Sequence, residues 1–132
     1  MNWIVPRIKW VMLVSGVLTC TMIHAAIAPQ AALRSTFGAS LDGPLAEIVV
    51  RNWGALIALV GAMLIYGAFH PPVRALVLTV AGLSKLTFIV LLLLYGAQYL
   101  TRQAGISIAV DLLMVVLFAF YLVGARRDAA AV

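Results

Sequence analysis

Five polar side chains lie in segments that are otherwise apolar, and side chains of these types can bind one another or a polar ligand. They are His24, Arg51, Asn52, Lys85 and Asp111. A charge in apolar surroundings is costly unless it is paired, so such groups hold one another or a polar ligand. The chain shows no Ser/His/Asp or Cys/His set, no phosphate loop and no spaced carboxylate pair. We therefore expect no enzyme activity and, with one cysteine and two histidines, no metal site.

Composition indicates that these groups lie within lipid. Of the 132 residues, 65% are hydrophobic and 10% are charged, whereas about 25% are charged in soluble domains. A soluble domain of this size has too little interior for so many apolar side chains. The net charge of +5 is spread thinly without a basic, aromatic-rich face, which argues against nucleic-acid binding. The sequence predicts one all-α transmembrane domain over residues 1–132, in contact with the lipid bilayer.

Four apolar segments are long enough to cross about 30 Å of hydrocarbon. They predict an integral membrane four-helix bundle with helices over residues 8–28, 45–69, 73–100 and 105–124. Between the first two, Pro29 can start a short helix and Gly38 can end it. We expect this helix at the membrane interface, with Leu33 towards lipid and Arg34 towards water. The first segment resembles a signal peptide, but Pro29 disfavours cleavage there, so we expect a retained helix.

The distribution of lysine and arginine near the helix ends predicts the orientation. Five basic residues fall on the side of the two termini and three fall on the other side. By the positive-inside rule, both termini are expected in the cytoplasm, with the protein in the inner (plasma) membrane. The first group is Arg7, Lys9, Arg74, Arg126 and Arg127, and the second is Arg34, Arg51 and Arg102.

Two stripes of small and polar residues indicate which helix faces meet. Each stripe recurs at helical spacing and therefore lies on one face of its helix. Small residues let helices approach closely in lipid. We expect both stripes to point into the bundle, together with their polar members. The stripes are Gly16, Cys20 and His24 on the first helix, and Arg51, Gly54, Ala58 and Gly61 on the second.

Depth in the bilayer predicts which polar groups meet. At 1.5 Å per residue, His24 lies about 6 Å below the outer helix ends, and Arg51 and Asp111 lie about 9 Å below them. We predict an Arg51–Asp111 ion pair with His24 or Asn52 as a further partner, because an unpaired charge in lipid is costly. This pair can be structural or can form part of a substrate site.

Lys85 interrupts the third apolar segment near its middle. Counted from the turn near Gln103, it lies about 13 Å deeper than Asp111. Each side chain also leans towards the N-terminus of its own helix, and the two helices run in opposite directions. The two side chains therefore lean apart, and we predict no direct contact between them. We expect Lys85 level with Thr19 and Cys20. Snorkelling to the inner surface, a structural hydrogen bond and a ligand or proton role all remain open for it.

Several short motifs occur in order between residues 24 and 74. They are Pro29, Phe37-Gly38, Arg51-Asn52-Trp53-Gly54, Gly61 and Pro72-Val73-Arg74. This segment resembles the DoxX-like superfamily of small four-helix membrane proteins. The resemblance implies an inner-membrane protein, often an accessory subunit, and a few relatives belong to quinone-linked sulfur oxidation. It assigns no role to Lys85 or Asp111, because the third and fourth helices match only in hydropathy.

Two functions are expected from these features. The first is a non-catalytic DoxX-like accessory or scaffold subunit, with another membrane protein or a second copy as partner. The alternative is a small transporter or a protein that binds a quinone-like lipophile in a cavity lined by His24, Arg51, Lys85 and Asp111. A water-accessible pocket joining those residues favours the alternative, and a tightly packed bundle favours the first. The sequence does not identify a cofactor, which stays unknown.

Overall fold

Long apolar runs without interior proline form four membrane-length helical segments. A computed structural model of the chain describes residues 5–131, and the side chains of residues 6–125. The segments are Ile8–Ile27, Pro44–Phe69, Pro71–Tyr95 and Gln103–Ala125, each long and apolar enough to cross a membrane. The prediction of four such helices is confirmed, and no strand occurs among the described residues. These features indicate a multi-pass membrane protein.

Six α-helices build the segments and the connection between the first two. They are α1 (Ile8–Cys20), α2 (Ile23–Ile27), α3 (Pro29–Phe37), α4 (Pro44–Phe69), α5 (Arg74–Tyr95) and α6 (Gln103–Ala131). The first segment is thus divided into α1 and α2, and α5 ends at Tyr95 instead of Leu100. The helix α6 continues past Gly124. The side chains of Arg126 and Arg127, which count towards the predicted orientation, lie outside the described residues.

The short helix α3 begins and ends where the sequence predicts. Pro29 occupies its first turn, where a missing N–H does no harm, and Gly38 ends it in the left-handed conformation with φ of 70°. Its apolar face turns towards the protein, however. Leu33 is buried against Ala25 and Val50 and is not free to face lipid, in contrast to the prediction. The helix therefore covers one end of the bundle.

The closest helix contact joins α1 to α4 through two glycines. A Cβ atom added at Gly61 would lie 2.6 Å from the backbone nitrogen of Cys20, and one at Gly16 would lie 2.8 Å from the carbonyl oxygen of Gly61. Only glycine allows backbones to approach so closely. The helix α6 packs mainly on α5 and has few contacts with α1. The bundle therefore consists of two helix pairs, α1–α4 and α5–α6.

The described residues form two separate apolar cores, of which the terminal core holds the two pairs together. The terminal core joins the starts of α1 and α5 to the end of α4 and the middle of α6, which makes the bundle antiparallel. The smaller α3 core lies at the opposite end, beneath α3. The terminal core consists of Ile8, Met12, Leu64, Ala68, Val77, Leu78, Ala81, Met114 and Phe118, and the α3 core of Ala25, Ala32, Leu33 and Val50.

Candidate functional site

A cavity of about 260 Å³ lies between the terminal core and the α3 core. Each membrane-length segment contributes to its wall, and Thr36 of α3 contributes to its cover. Along α1 and α4, the lining residues fall between those of the two cores, so neither core fills this space. The polar residues that line the cavity include Ser15, Thr19, His24, Lys85 and Asp111.

Lys85 and Asp111 form an ion pair inside this cavity. The Lys85 Nζ lies 3.0 Å from Oδ1 of Asp111 and donates a second hydrogen bond, of 3.1 Å, to the Thr19 hydroxyl. Thr19 in turn donates to the carbonyl oxygen of Ser15 at 2.6 Å. The prediction that Lys85 lies level with Thr19 is confirmed. The prediction that Lys85 and Asp111 make no contact is wrong.

The error in depth has a simple physical cause. The prediction extended the third helix to Leu100, whereas α5 ends at Tyr95 and the following turn adds no depth. Counted from Tyr95, Lys85 lies ten residues or about 15 Å inside the helix end. Counted from Gln103, Asp111 lies eight residues or about 12 Å inside. The two residues are therefore nearly level, and the long lysine side chain spans the gap.

Arg51 does not pair with Asp111, and that prediction is wrong. Its Nη1 donates to the carbonyl oxygen of Ala26 at 2.6 Å and approaches that of Ile27 at 3.4 Å. Those carbonyls lie at the C-terminus of α2, where they lack helical partners and attract a cation. Arg51 and Asn52 are both exposed on α4 and do not line the cavity.

The α1 stripe enters the bundle only as far as Cys20. Gly16 is buried, and the Cys20 Sγ donates to the carbonyl oxygen of Ala58 at 3.6 Å, as expected of an interhelical face. His24 is exposed instead, because the break between α1 and α2 changes the helical register. Its Nδ1 lies 2.7 Å from the carbonyl oxygen of Thr21. His24 nevertheless lines the cavity.

The break between α1 and α2 lies beside the cavity. At this point, Thr21 and Met22 donate to carbonyls three residues earlier, at 3.3 and 3.2 Å, and the Thr21 hydroxyl also bonds to Leu18. Irregular backbone at membrane depth is tolerated where it lines a cavity. We did not predict this break, since the segment contains no proline or glycine there. Its only sequence signal is the hydroxyl-rich run Thr19-Cys20-Thr21, which offers the backbone alternative hydrogen bonds.

Ser15 is a site residue that sequence reasoning treated only as part of a packing face. Its side chain is 0% exposed and lines the cavity. Its hydroxyl has no hydrogen-bond partner among the described residues. A buried polar group without a partner is costly, so this hydroxyl is a ready bonding group for a molecule in the cavity.

The cavity opens sideways between α1 and α6. Two lining residues at this gap, Leu18 and Ile106, are 49% and 68% exposed. On another side, Trp53 and Phe88 form walls common to the cavity and to a second, apolar groove of about 360 Å³. This groove runs along α5 past Leu91 and is faced with aromatic side chains. A mostly apolar cavity with a polar cluster around Lys85 and Asp111 thus adjoins an apolar groove.

The four helical segments indicate a multi-pass membrane protein, and its helix bundle contains a cavity with a buried ion pair. Comparison of the chain with protein-family models, with curated proteins and with solved structures finds no match.

Arg51→Ala is expected to lower the free energy of unfolding by about 1–2 kcal/mol, because the α2 carbonyls lose a charged donor. The measurement is equilibrium unfolding by dodecyl sulfate in mixed micelles. Arg34→Ala is the matched control, since Arg34 is exposed on α3, and its effect should stay within about 0.5 kcal/mol. Equal effects of the two substitutions would contradict the capping role of Arg51.

Proposed function

We propose that this protein is a non-catalytic membrane protein that binds a small lipophile with a polar head, either as a binding protein or as a small transporter. The observation that supports this function is the cavity that joins Lys85 and Asp111 to an opening between α1 and α6. Such an opening faces the lipid phase if the four segments cross a bilayer. At about 260 Å³ the cavity is slightly smaller than sites for drug-sized ligands, so it suits a compact head group.

The lining of the cavity suits a quinone-like ring. The Lys85 ammonium has three N–H groups and, within the described part of the chain, two acceptors, so one N–H remains for a ligand oxygen. The Ser15 hydroxyl offers a second donor. Trp53 and Phe88 supply flat apolar surfaces against which a ring can pack. Arg51 takes no part in this site, in contrast to the ligand set expected from the sequence.

Ligand-dependent stabilisation tests this proposal. In lipid nanodiscs, duroquinone at saturating concentration is expected to raise the unfolding temperature of the wild type. A ligand at about 100 times its dissociation constant stabilises a protein by about 2.7 kcal/mol. The Lys85→Leu variant is expected to lose this shift, and the exposed-surface variant Arg34→Ala is expected to keep it. An unchanged shift in Lys85→Leu would remove Lys85 from the site, and no shift with any uncharged lipophile would overturn the proposed function.

A second candidate is a DoxX-like accessory or scaffold subunit of a membrane complex. The observation that favours it is the free surface of the fourth segment, of which 11% is buried, compared with 33% for the third. This surface is open to another membrane protein or to a second copy of the chain. Crosslinking in native membranes followed by purification tests this role. Recovery of the chain alone would exclude it.

We also propose an inner-membrane location with both termini in the cytoplasm. The support is the excess of lysine and arginine at the helix ends near the termini, five against three. Under this orientation α3 lies on the outer side. Cysteine accessibility provides the test: a cysteine introduced at Asp42 in a Cys20→Ser background should react with an impermeant maleimide from outside. Labelling only after the membrane is opened would reverse the orientation.

A further inference from the structure

We infer that the cavity selects an amphiphile whose head is uncharged, and that it rejects anionic and cationic heads on the same chain. This inference rests on the proposed function and names its substrate class. It follows from the charges that face the cavity. These are Lys85 and Asp111, which pair at 3.0 Å, and the imidazole of His24 near the opening.

The ion pair makes the interior of the cavity neutral. One ammonium and one carboxylate sum to zero, and Arg51 is engaged at the end of α2, outside the cavity. A carboxylate head could accept the remaining N–H of Lys85, but it would add a second negative charge beside Asp111. A cationic head would in the same way add a second positive charge beside Lys85. Either arrangement places a net charge at membrane depth, which is strongly unfavourable.

An uncharged oxygen-bearing head meets complementary groups without changing the net charge. Its oxygen can accept a hydrogen bond from the remaining N–H of Lys85 or from the Ser15 hydroxyl, which lacks a partner among the described residues. A hydroxyl head can also donate to Asp111, of which only Oδ1 accepts a hydrogen bond within the described part of the chain. The buried Ser15 hydroxyl is thus the independent sign of a hydrogen-bonding occupant.

The tail of the same molecule fits the apolar groove next to the cavity. Trp53 and Phe88 belong to the walls of both, so the two spaces adjoin, and we place the tail across these two side chains. The groove presents leucine and aromatic surface and has almost no polar lining. A water-soluble polar solute would leave this surface unused, whereas an amphiphile would cover it.

Three dodecyl probes with different heads test the inference on the full chain in phosphatidylcholine nanodiscs. Dodecanol, dodecanoate and dodecylammonium share one tail and have compact heads, and all three are measured at one pH. Affinity is measured from the concentration dependence of the unfolding temperature. The wild type is expected to bind dodecanol at least about tenfold more tightly than either ionic probe. Equal binding of dodecanoate and dodecanol would overturn the inference while leaving the proposed function standing.

Charge-changing variants should switch the preferred head. Asp111→Asn leaves a net positive cavity and is expected to prefer dodecanoate, whereas Lys85→Met leaves a net negative one and is expected to prefer dodecylammonium. Matched controls remove charge outside the cavity: Glu47→Gln and Arg51→Gln should keep the wild-type preference for dodecanol. A preference that does not change in the two cavity variants would overturn the inference.

The double variant Lys85→Met/Asp111→Asn provides a test of the inference if one of the single-charge variants does not fold. Its cavity has no ionised pair and remains neutral. It is expected to bind dodecanol more weakly than the wild type and still to discriminate against both ionic probes. Loss of that discrimination would show that neutrality of the cavity does not select the head, and would overturn the inference. Failure of all three probes to bind the wild type would instead overturn the proposed function itself.

Discussion

Asp111→Ala is expected to lower the free energy of unfolding by about 3 kcal/mol, because it leaves the Lys85 ammonium without its counter-charge. The remaining hydrogen bond to Thr19 satisfies one N–H but supplies no negative charge. Lys85 is 9% exposed, so water solvates it poorly. The measurement is equilibrium unfolding by dodecyl sulfate in mixed micelles, with helix content followed by circular dichroism.

A double substitution separates the ion pair from the space that it occupies. Lys85→Leu/Asp111→Leu removes both charges and fills the volume with apolar atoms, so its stability should lie within about 1 kcal/mol of the wild type. The control is Glu47→Ala, which removes a carboxylate in the first turn of α4. Its effect should be about 0.5 kcal/mol, from the helix dipole alone. If Asp111→Ala and the double variant proved equally unstable, packing and not charge would explain the loss.

Gly61→Ala is expected to destabilise the protein by about 3 kcal/mol, through a clash and not through lost helix propensity. The added methyl group would lie 2.6 Å from the Cys20 backbone nitrogen and 2.7 Å from the Gly16 carbonyl oxygen. Backbone atoms cannot rotate away as side chains can, so α1 and α4 must separate. Overpacking of this kind costs about 1–3 kcal/mol, and lost contacts along both helices place this case at the upper limit.

Gly82→Ala is the matched control, because it makes the same chemical change on a spanning helix. A Cβ atom at this position would find its nearest neighbour, Phe118, at 3.9 Å, which is ordinary contact. Alanine also favours the helical conformation over glycine by about 1 kcal/mol. The variant should therefore be as stable as the wild type or slightly more stable. Equal destabilisation by the two substitutions would contradict the close approach of α1 and α4.

Hydrophobic length was sufficient to predict the four long helices, because about twenty apolar residues have few alternatives to crossing a bilayer. Pro29 and Gly38 likewise predicted the limits of α3, since each restricts the backbone locally. The inward face of α3 was not predictable in this way. Leu33 suits a lipid surface and a protein core equally well, and only the position of α4 decides between them.

The candidate site was predicted in part: His24, Lys85 and Asp111 line the cavity, whereas Arg51 and Asn52 do not. Lys85 and Asp111 were identified because charges are rare in such segments. Their contact depends on the end of α5 at Tyr95, because counting from Tyr95 instead of Gln103 removes eight residues, or about 12 Å, from the depth of Lys85. Arg51 was assigned to Asp111 because the two lie at similar depth and an unpaired charge in lipid is costly. The carbonyls at the end of α2, which are its actual acceptors, were not considered as partners.

The division of the first segment has a consequence for how the protein unfolds. The helical hydrogen bonds are interrupted at Thr21 and Met22, so α2 and α3 are held to α4 by contacts of their own. These are the small core with Val50 and the approach at Gly54, where an added Cβ would lie 2.6 Å from the Cβ of Ala25. They can therefore open separately from α1, which packs on α4 at Gly16 and Gly61. Two cooperative units are then expected in hydrogen–deuterium exchange, with the amides of Ala25 to Phe37 exchanging well before those of α1. Such partial opening would uncover the cavity from the α3 side while the terminal core stays folded.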